Sequence, residues 1–203
     1  TLGVNTGIYN GLVLSLPFQK EESTSPVFSV NDYSGAGNNG FARNLTSFDM
    51  SNELSQIVTY NESAEFDGND DYLSASSNTA LSPVQSVTLE AWIYPRSVSN
   101  SVIIHKGSDN GAVTNFRLGI ENRKLYAGIK QNFNFISNDT IGVNKWSHVA
   151  FTYSGITGKY CFYLNGKMII DSTNIIGLIS SSSDSLYIGG SVSLPDFNGF
   201  IDE

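Results

Sequence analysis

Between Val87 and Tyr94 the chain alternates strictly: Val87, Leu89, Ala91 and Ile93 fall on one face, Thr88, Glu90, Trp92 and Tyr94 on the other. A period of two is that of a β-strand whose faces meet different surroundings. Pro95 ends the run, because it has no N–H to give to a ladder. The same pattern predicts strands at Ser101 to His105, Phe116 to Ile120, Lys124 to Ile129 and Leu186 to Ile188. Glu121-Asn-Arg123 reads as a short hairpin connection, and Gly107 to Gly111 and Ser180 to Asp184 read as polar loops. Trp146 to Tyr153, Lys159 to Leu164 and Lys167 to Asp171 form a meander. Its second turn is Asn165-Gly166, a pair that tolerates the two positive φ angles of a type I′ hairpin.

The first segment follows the same logic less cleanly. Leu12, Leu14 and Leu16 share a face, so Gly11 to Phe18 reads as a strand and Gln19 to Pro26 as a polar loop. The pattern offers at most one helical turn, at Ala80 to Val84, and no internal repeat or linker. Many short strands with no helices between them predict two packed antiparallel sheets, an all-β sandwich, over residues 1–203.

Composition supports that picture. The 203 residues include 12 Phe, 10 Tyr and 2 Trp, enough apolar bulk for a sizeable core, and 19 Gly for tight turns. The formal net charge of −8 supplies no basic stripe to displace counterions, which argues against nucleic acid and anionic membranes as partners. Cys161 has no second cysteine to pair with, and its apolar run Tyr160-Cys-Phe-Tyr-Leu164 predicts a buried small hydrophobe. The longest apolar runs are strand-sized, so no direct membrane insertion is expected. Three sequons, at Asn44, Asn61 and Asn138, fit an extracellular or cell-surface location.

Six segments recur in a recognisable order. They are Asp32-Tyr-Ser-Gly-Ala-Gly-Asn-Asn-Gly40, Phe66-Asp-Gly-Asn-Asp-Asp-Tyr-Leu73, Val87-Thr-Leu-Glu-Ala-Trp-Ile-Tyr94, Trp146-Ser-His-Val-Ala-Phe-Thr-Tyr153, Phe162-Tyr-Leu-Asn-Gly-Lys167 and Gly199-Phe-Ile-Asp-Glu203. In this order they resemble a laminin G-like domain, a jelly roll of the concanavalin A-like lectin/glucanase superfamily. The resemblance implies that the first strand lies beside the last. Because such sequences usually continue past the position of Glu203, it also implies a segment of a longer surface protein with neighbouring domains as partners. The start at Thr1 fits processing or trimming upstream. The superfamily holds both sugar-binding modules and glycan-cleaving enzymes, so local chemistry must choose.

Two acidic groups are candidate cation sites. Asp32, Asn39 and their neighbours offer side-chain oxygens, and Gly37 and Gly40 let the backbone turn carbonyls toward one point, as a calcium cage requires. One loop seldom supplies six to eight oxygens, and the resemblance implies Asp202 on the last strand as the second carboxylate. A structural Ca2+ at Asp32, Gly37, Asn39, Gly40 and Asp202 would staple the chain ends. The alternative is a hydrogen-bonded Asx-turn. For Asp67-Gly68-Asn69-Asp70-Asp71 the choices are a second ion site or, as the resemblance implies, a tight hairpin turn.

Catalysis is not expected. Glycan cleavage in the superfamily uses carboxylates at alternating positions of one strand, and the comparable strand carries Glu90 alone. Glu90 reads as a strand residue meeting a cross-strand partner, such as Lys or Arg. Two histidines, His105 and His148, are too few for a catalytic zinc site. Recognition is better served: rings stack on the C–H faces of sugars and amides bond to hydroxyls. Tyr94, Asn110, Gln131, Asn132, Phe133 and Asn134 are the candidate ligand residues, with Gln131 to Phe135 read as a loop alternating amides and rings. The expected function is a non-catalytic module that binds glycan or a surface protein. A structural adhesion or assembly subunit is the alternative, and a glycan hydrolase or lyase comes third.

Overall fold

The computed structural model describes residues 11–18, 29–45, 48–49, 63–108, 114–130, 133–173, 176–191 and 193–202. The strands among them are β1 (Ser29–Val30), β2 (Gly40–Arg43), β3 (Phe48–Asp49), β4 (Ser63–Asp67), β5 (Tyr72–Ala75), β6 (Ser86–Pro95), β7 (Ser101–Gly107) and β8 (Thr114–Glu121). They continue as β9 (Lys124–Ile129), β10 (Phe133–Thr140), β11 (Ser147–Ser154), β12 (Lys159–Leu164), β13 (Lys167–Thr173), β14 (Leu186–Ile188) and β15 (Asn198–Asp202). Two sheets result: an eight-stranded one in the order β1-β2-β5-β14-β7-β8-β9-β10 and a seven-stranded one in the order β13-β12-β11-β6-β15-β4-β3. Every described pairing is antiparallel. The fold is an all-β jelly-roll sandwich.

Alternation explains the core. Leu89, Ala91 and Ile93 of β6 are buried, as are Val149, Phe151 and Tyr153 of β11, while Leu118, Ile120, Leu125, Ala127 and Ile129 face them from the eight-stranded sheet. Phe135 of β10 bridges the layers, with ring centroids 5.7 Å from Phe151 and 4.2 Å from Tyr160. The β8–β9 turn places Asn122 and Arg123 at φ 50° and 68°, and the β12–β13 turn places Asn165 and Gly166 at 51° and 74°. The second is the expected type I′ turn, and the first is the expected short hairpin connection, with two positive φ angles of the same kind.

Four expectations fail, each for a local reason. Gly11 to Phe18 forms no strand: its backbone is taken up by the following loop, with Ser15 O accepting from Tyr33 N, Ser15 N donating to Asp32 and Val13 O accepting from Asn38. It therefore does not lie in a ladder beside the last strand, whose neighbours are β6 and β4. The Asp67–Asp71 turn is no hairpin, because β4 belongs to one sheet and β5 to the other. Gly68 at φ 82° and the bond from Asp67 N to Asp71 Oδ2 (3.0 Å) redirect the chain across the sandwich. Phe133 to Phe135 belongs to β10 and not to a loop, Phe133 pairing with Ile129 and Asn134 with Gly128, whereas Ala80 to Val84 stays within the one turn expected, closed by Ser82 N donating to Thr79 O. Gln19 to Pro26 lies outside the described residues.

Candidate functional site

The face of β6 that points away from the core carries Thr88, Glu90, Trp92 and Tyr94, and pairing extends each of these positions into a row across the seven-stranded sheet. Tyr94 lies opposite Phe200 on β15, and Phe200 opposite Glu65 on β4. Trp92 lies opposite His148 on one side and Asp202 on the other. Glu90 lies opposite Ala150, which lies opposite Tyr163 and, through it, Met168. Thr88, Thr152, Cys161 and Asp171 form the last row.

One end of this face is aromatic. Tyr94 packs on Trp146 at 5.7 Å and on Phe200 at 5.8 Å, and Trp92 meets His148 edge-on at 5.3 Å. The guanidinium of Arg96 sits 4.6 Å above the Phe200 ring and pairs with Glu65. Trp146 Nε1 is buried with no hydrogen-bond partner among the described residues. Close approach of β15 to β6 depends on Gly199, whose φ of 142° and missing side chain let it lie against the Tyr94 carbonyl, where a Cβ would collide.

The other end is polar. A recess of about 400 Å³ opens there, with Thr88, Thr152, Ser154, Tyr163, Lys159 and Asp171 among its walls. Lys159 Nζ pairs with Asp171 Oδ1 at 3.1 Å, and that hydrogen bond raises the ammonium pKa. Cys161 is buried, as expected, with its Sγ 3.7 Å from Asp171 Oδ1. Glu90 meets His148 Nε2 at 3.8 Å, so its cross-strand partner is a histidine on the neighbouring strand.

The jelly-roll sandwich that carries this face has relatives among known proteins. The model of one family, described as the concanavalin A-like lectin/glucanases superfamily, matches residues 67–203. The chain belongs to that superfamily. No curated protein matches the chain in sequence. Among solved structures, it is similar to domain 4 of AbnA, an extracellular arabinanase of Geobacillus stearothermophilus in complex with arabinotriose. That match has a TM-score of 0.61 at 17% identity and covers 85% of this chain and 83% of that one. A carbohydrate-binding module of the Ruminococcus gnavus sialidase bound to α2,3 sialyllactose matches with TM-score 0.56 and 16% identity, covering 69% and 85%. A botulinum neurotoxin type C structure, concerned with cell entry through two ganglioside molecules, matches with TM-score 0.60 and 18% identity; the coverage is 95% of this chain but 47% of that one. At these identities the likeness establishes the fold.

Within this member of the superfamily, the residues expected to form one ligand site are dispersed. Tyr94 stands on the aromatic end of the seven-stranded sheet. Phe133 and Asn134 stand on β10, at the edge of the other sheet, where Lys130 Nζ lies 4.3 Å over the Phe133 ring and Tyr126 donates to Asn134 Oδ1 (2.8 Å). Asn110, Gln131 and Asn132 lie outside the described residues.

Asp32 serves its own loop. Its oxygens accept from Ser15 N (3.0 Å), Ser34 N (2.9 Å), Ser34 Oγ (2.8 Å) and Asn38 N (2.8 Å), and Asn39 Oδ1 accepts from Asp32 N. Four donors occupy the roughly four lone-pair sites of a carboxylate, the hydrogen-bonded turn of the alternative reading. Burial pushes the Asp32 pKa upward, but these bonds outweigh it and hold the group below its ordinary value. Gly37 and Gly40 lie in and just after this loop, on the eight-stranded sheet, while Asp202 is buried on β15 of the other sheet.

Asp67, Asp70 and Asp71 instead bring carboxylate oxygens within 4.8 Å of one another. Asp196 adds a buried Oδ1 with no hydrogen-bond partner among the described residues, and its pKa is pushed up to about 6 by burial and by the charges of these three acids. Sequence patterns alone do not single out Trp92, Trp146, His148, Phe200 and Asp171 as site residues. The usable signal is the polar face of β6, where two rings occupy positions that alternation assigns to the outside.

Proposed function

We propose that this domain is a non-catalytic recognition module that binds glycan on the outer face of the seven-stranded sheet, outside the cell or on its surface. The observation that carries this is the grouping of Trp92, Tyr94 and Trp146, half-buried rings on the side of the sheet turned away from the core, around Phe200, which is buried beneath the Arg96 that pairs with Glu65. Aromatic faces take up the C–H side of a sugar ring, and the neighbouring acids, imidazole and hydroxyls orient its polar edge. Relatives named for arabinotriose, sialyllactose and ganglioside binding support the ligand class. Hydrolysis is disfavoured by what surrounds Glu90: Thr88 and Trp92 flank it, Ala150 lies opposite, and the diagonal carboxylate, Asp202, is only 6% exposed. A glycan array, followed by titration of the strongest hit, tests the reading. Trp92→Ala should weaken binding about tenfold or more, whereas an unchanged affinity would remove this face as the site.

A structural calcium is a separate proposal, for which the Asp32 loop with Asp202 and the Asp67–Asp71 group with Asp196 compete. Packing against a neighbouring protein surface is the second functional reading. It is favoured by Val84, Ile156, Ile176 and Leu178, exposed aliphatics (Ile176 69%) on loops tied together by bonds from Gly177 N to Gly155 O and from Ile179 N to Val84 O.

A further inference from the structure

We infer, building on the proposal that this face binds glycan, that the ligand is an uncharged, extended oligosaccharide chain spanning two chemically different subsites. The first subsite is the ring platform at Tyr94 and Trp92. The second is the polar recess at the opposite end of the same strand, bounded by Thr88, Thr152 and Asp171. Tyr94 and Thr88 are six residues apart on β6, which at the rise of an antiparallel strand is about 20 Å. A single sugar ring covers one end and leaves the other unused. Glu90, Ala150 and Tyr163 continue the face between the two ends, so a linear chain can lie along it without a break.

The two ends ask for different parts of a sugar. At the platform the contact is apolar, ring against C–H surface, and says little about hydroxyl configuration. In the recess, the hydroxyls of Thr88 and Thr152 stand in one cross-strand row with the Asp171 carboxylate. Such a row can donate to and accept from hydroxyls of a single sugar unit, which is where configuration is read.

Charge selects against acidic sugars. Arg96 and Lys159 lie on this face, and each already has a carboxylate partner, Glu65 and Asp171 respectively. Glu90, with 59% of its side chain exposed, stands midway along the path. A uronate, sialate or sulfate placed there meets an exposed carboxylate that already faces the His148 imidazole at 3.8 Å, and must compete for cations that are already engaged, in a chain of net charge −8. A neutral chain meets no such cost.

Calorimetry with neutral linear series from disaccharide to hexasaccharide (arabino-, xylo- and cello-oligosaccharides) tests both parts. For the series that binds, affinity should rise about tenfold or more with length as the second subsite fills. The double variant Thr88→Val/Thr152→Val keeps β-branched side chains on the strand. It should lower hexasaccharide affinity about tenfold and leave disaccharide affinity unchanged, while Trp92→Ala weakens both. A uronate-bearing counterpart of the chain that binds should bind more weakly at low salt. Equal affinity for short and long chains, or tighter binding of the uronate, overturns the inference and leaves glycan binding standing. Binding to no glycan on a broad array overturns both.

Discussion

A carboxyl group buried among other carboxyls holds its proton longer than one in water. Asp196 is the clearest case in the molecule, its pKa pushed up to about 6 by burial and by Asp67, Asp70 and Asp71. A pKa raised in the folded state makes a contribution that is full below the unfolded value of 3.8 and is lost as pH rises to about 6. Asp196→Asn should therefore gain melting temperature relative to the wild type as pH rises across that window, with little difference below it. Parallel melting curves for the two proteins over that range would refute the assignment. The sequence displays three of these acids as a cluster, but Asp196 is separated from them by more than a hundred residues, and only the fold joins them. Asp32 illustrates the reverse. Its acidic, glycine-rich loop and the local donors Ser34 and Asn38 are legible in the sequence, but the fourth donor on the carboxylate, Ser15 N, is one that no local pattern ties to it.

At the scale of elements, the period-2 runs with sharp turns behave as expected: β6, β9, β12 and the type I′ turn at Asn165-Gly166 lie where alternation and turn chemistry predict. The start of β10 reads as a loop in sequence because amides and rings alternate from Gln131 to Phe135, yet Phe133 and Asn134 pair at a sheet edge, where a polar side chain such as that of Asn134 can stay in solvent. The Asp67–Asp71 turn reads as a hairpin because Asp-Gly signals a change of direction and not which sheet the chain enters next. Gly199 is the element-level key to the aromatic face, since it admits β15 beside β6. Gly199→Ala combines a strained φ with a clash on the Tyr94 carbonyl and should cost about 1–3 kcal/mol. Equilibrium denaturation would register this as a lowered midpoint at constant m, and an unchanged midpoint would show that the strand relaxes freely.

At the scale of the whole molecule, two sheets share one core, and rings such as Phe135 hold the layers together. Both acidic groups lie on chain segments that the sandwich has to pin: the Asp32 loop follows β1, and the Asp67–Asp71 turn passes between sheets. A cation that binds only the folded state raises melting temperature by mass action. We expect calcium to raise it relative to chelator, and Asp71→Asn to abolish the rise, because Asp67 and Asp71 each accept one backbone N–H among the described residues, from Asn69 and Asp67, where Asp32 accepts four donors. Loss of the rise in Asp32→Asn alone would assign the ion to the other loop, and a flat response in the wild type would dispose of the calcium proposal.

Alternation and turn residues sufficed to establish an all-β sandwich, because those signals act over a few residues and reflect the pleat of a strand and the φ angles a turn permits. The same signals placed Trp92 and Tyr94 on the outer face of β6. They could not say which strands would lie beside it. That choice rests on contacts between residues far apart in the chain, and it alone assembled Glu65, Trp92, Trp146, His148, Asp171 and Phe200 on one surface while sending Asn134 to the other sheet.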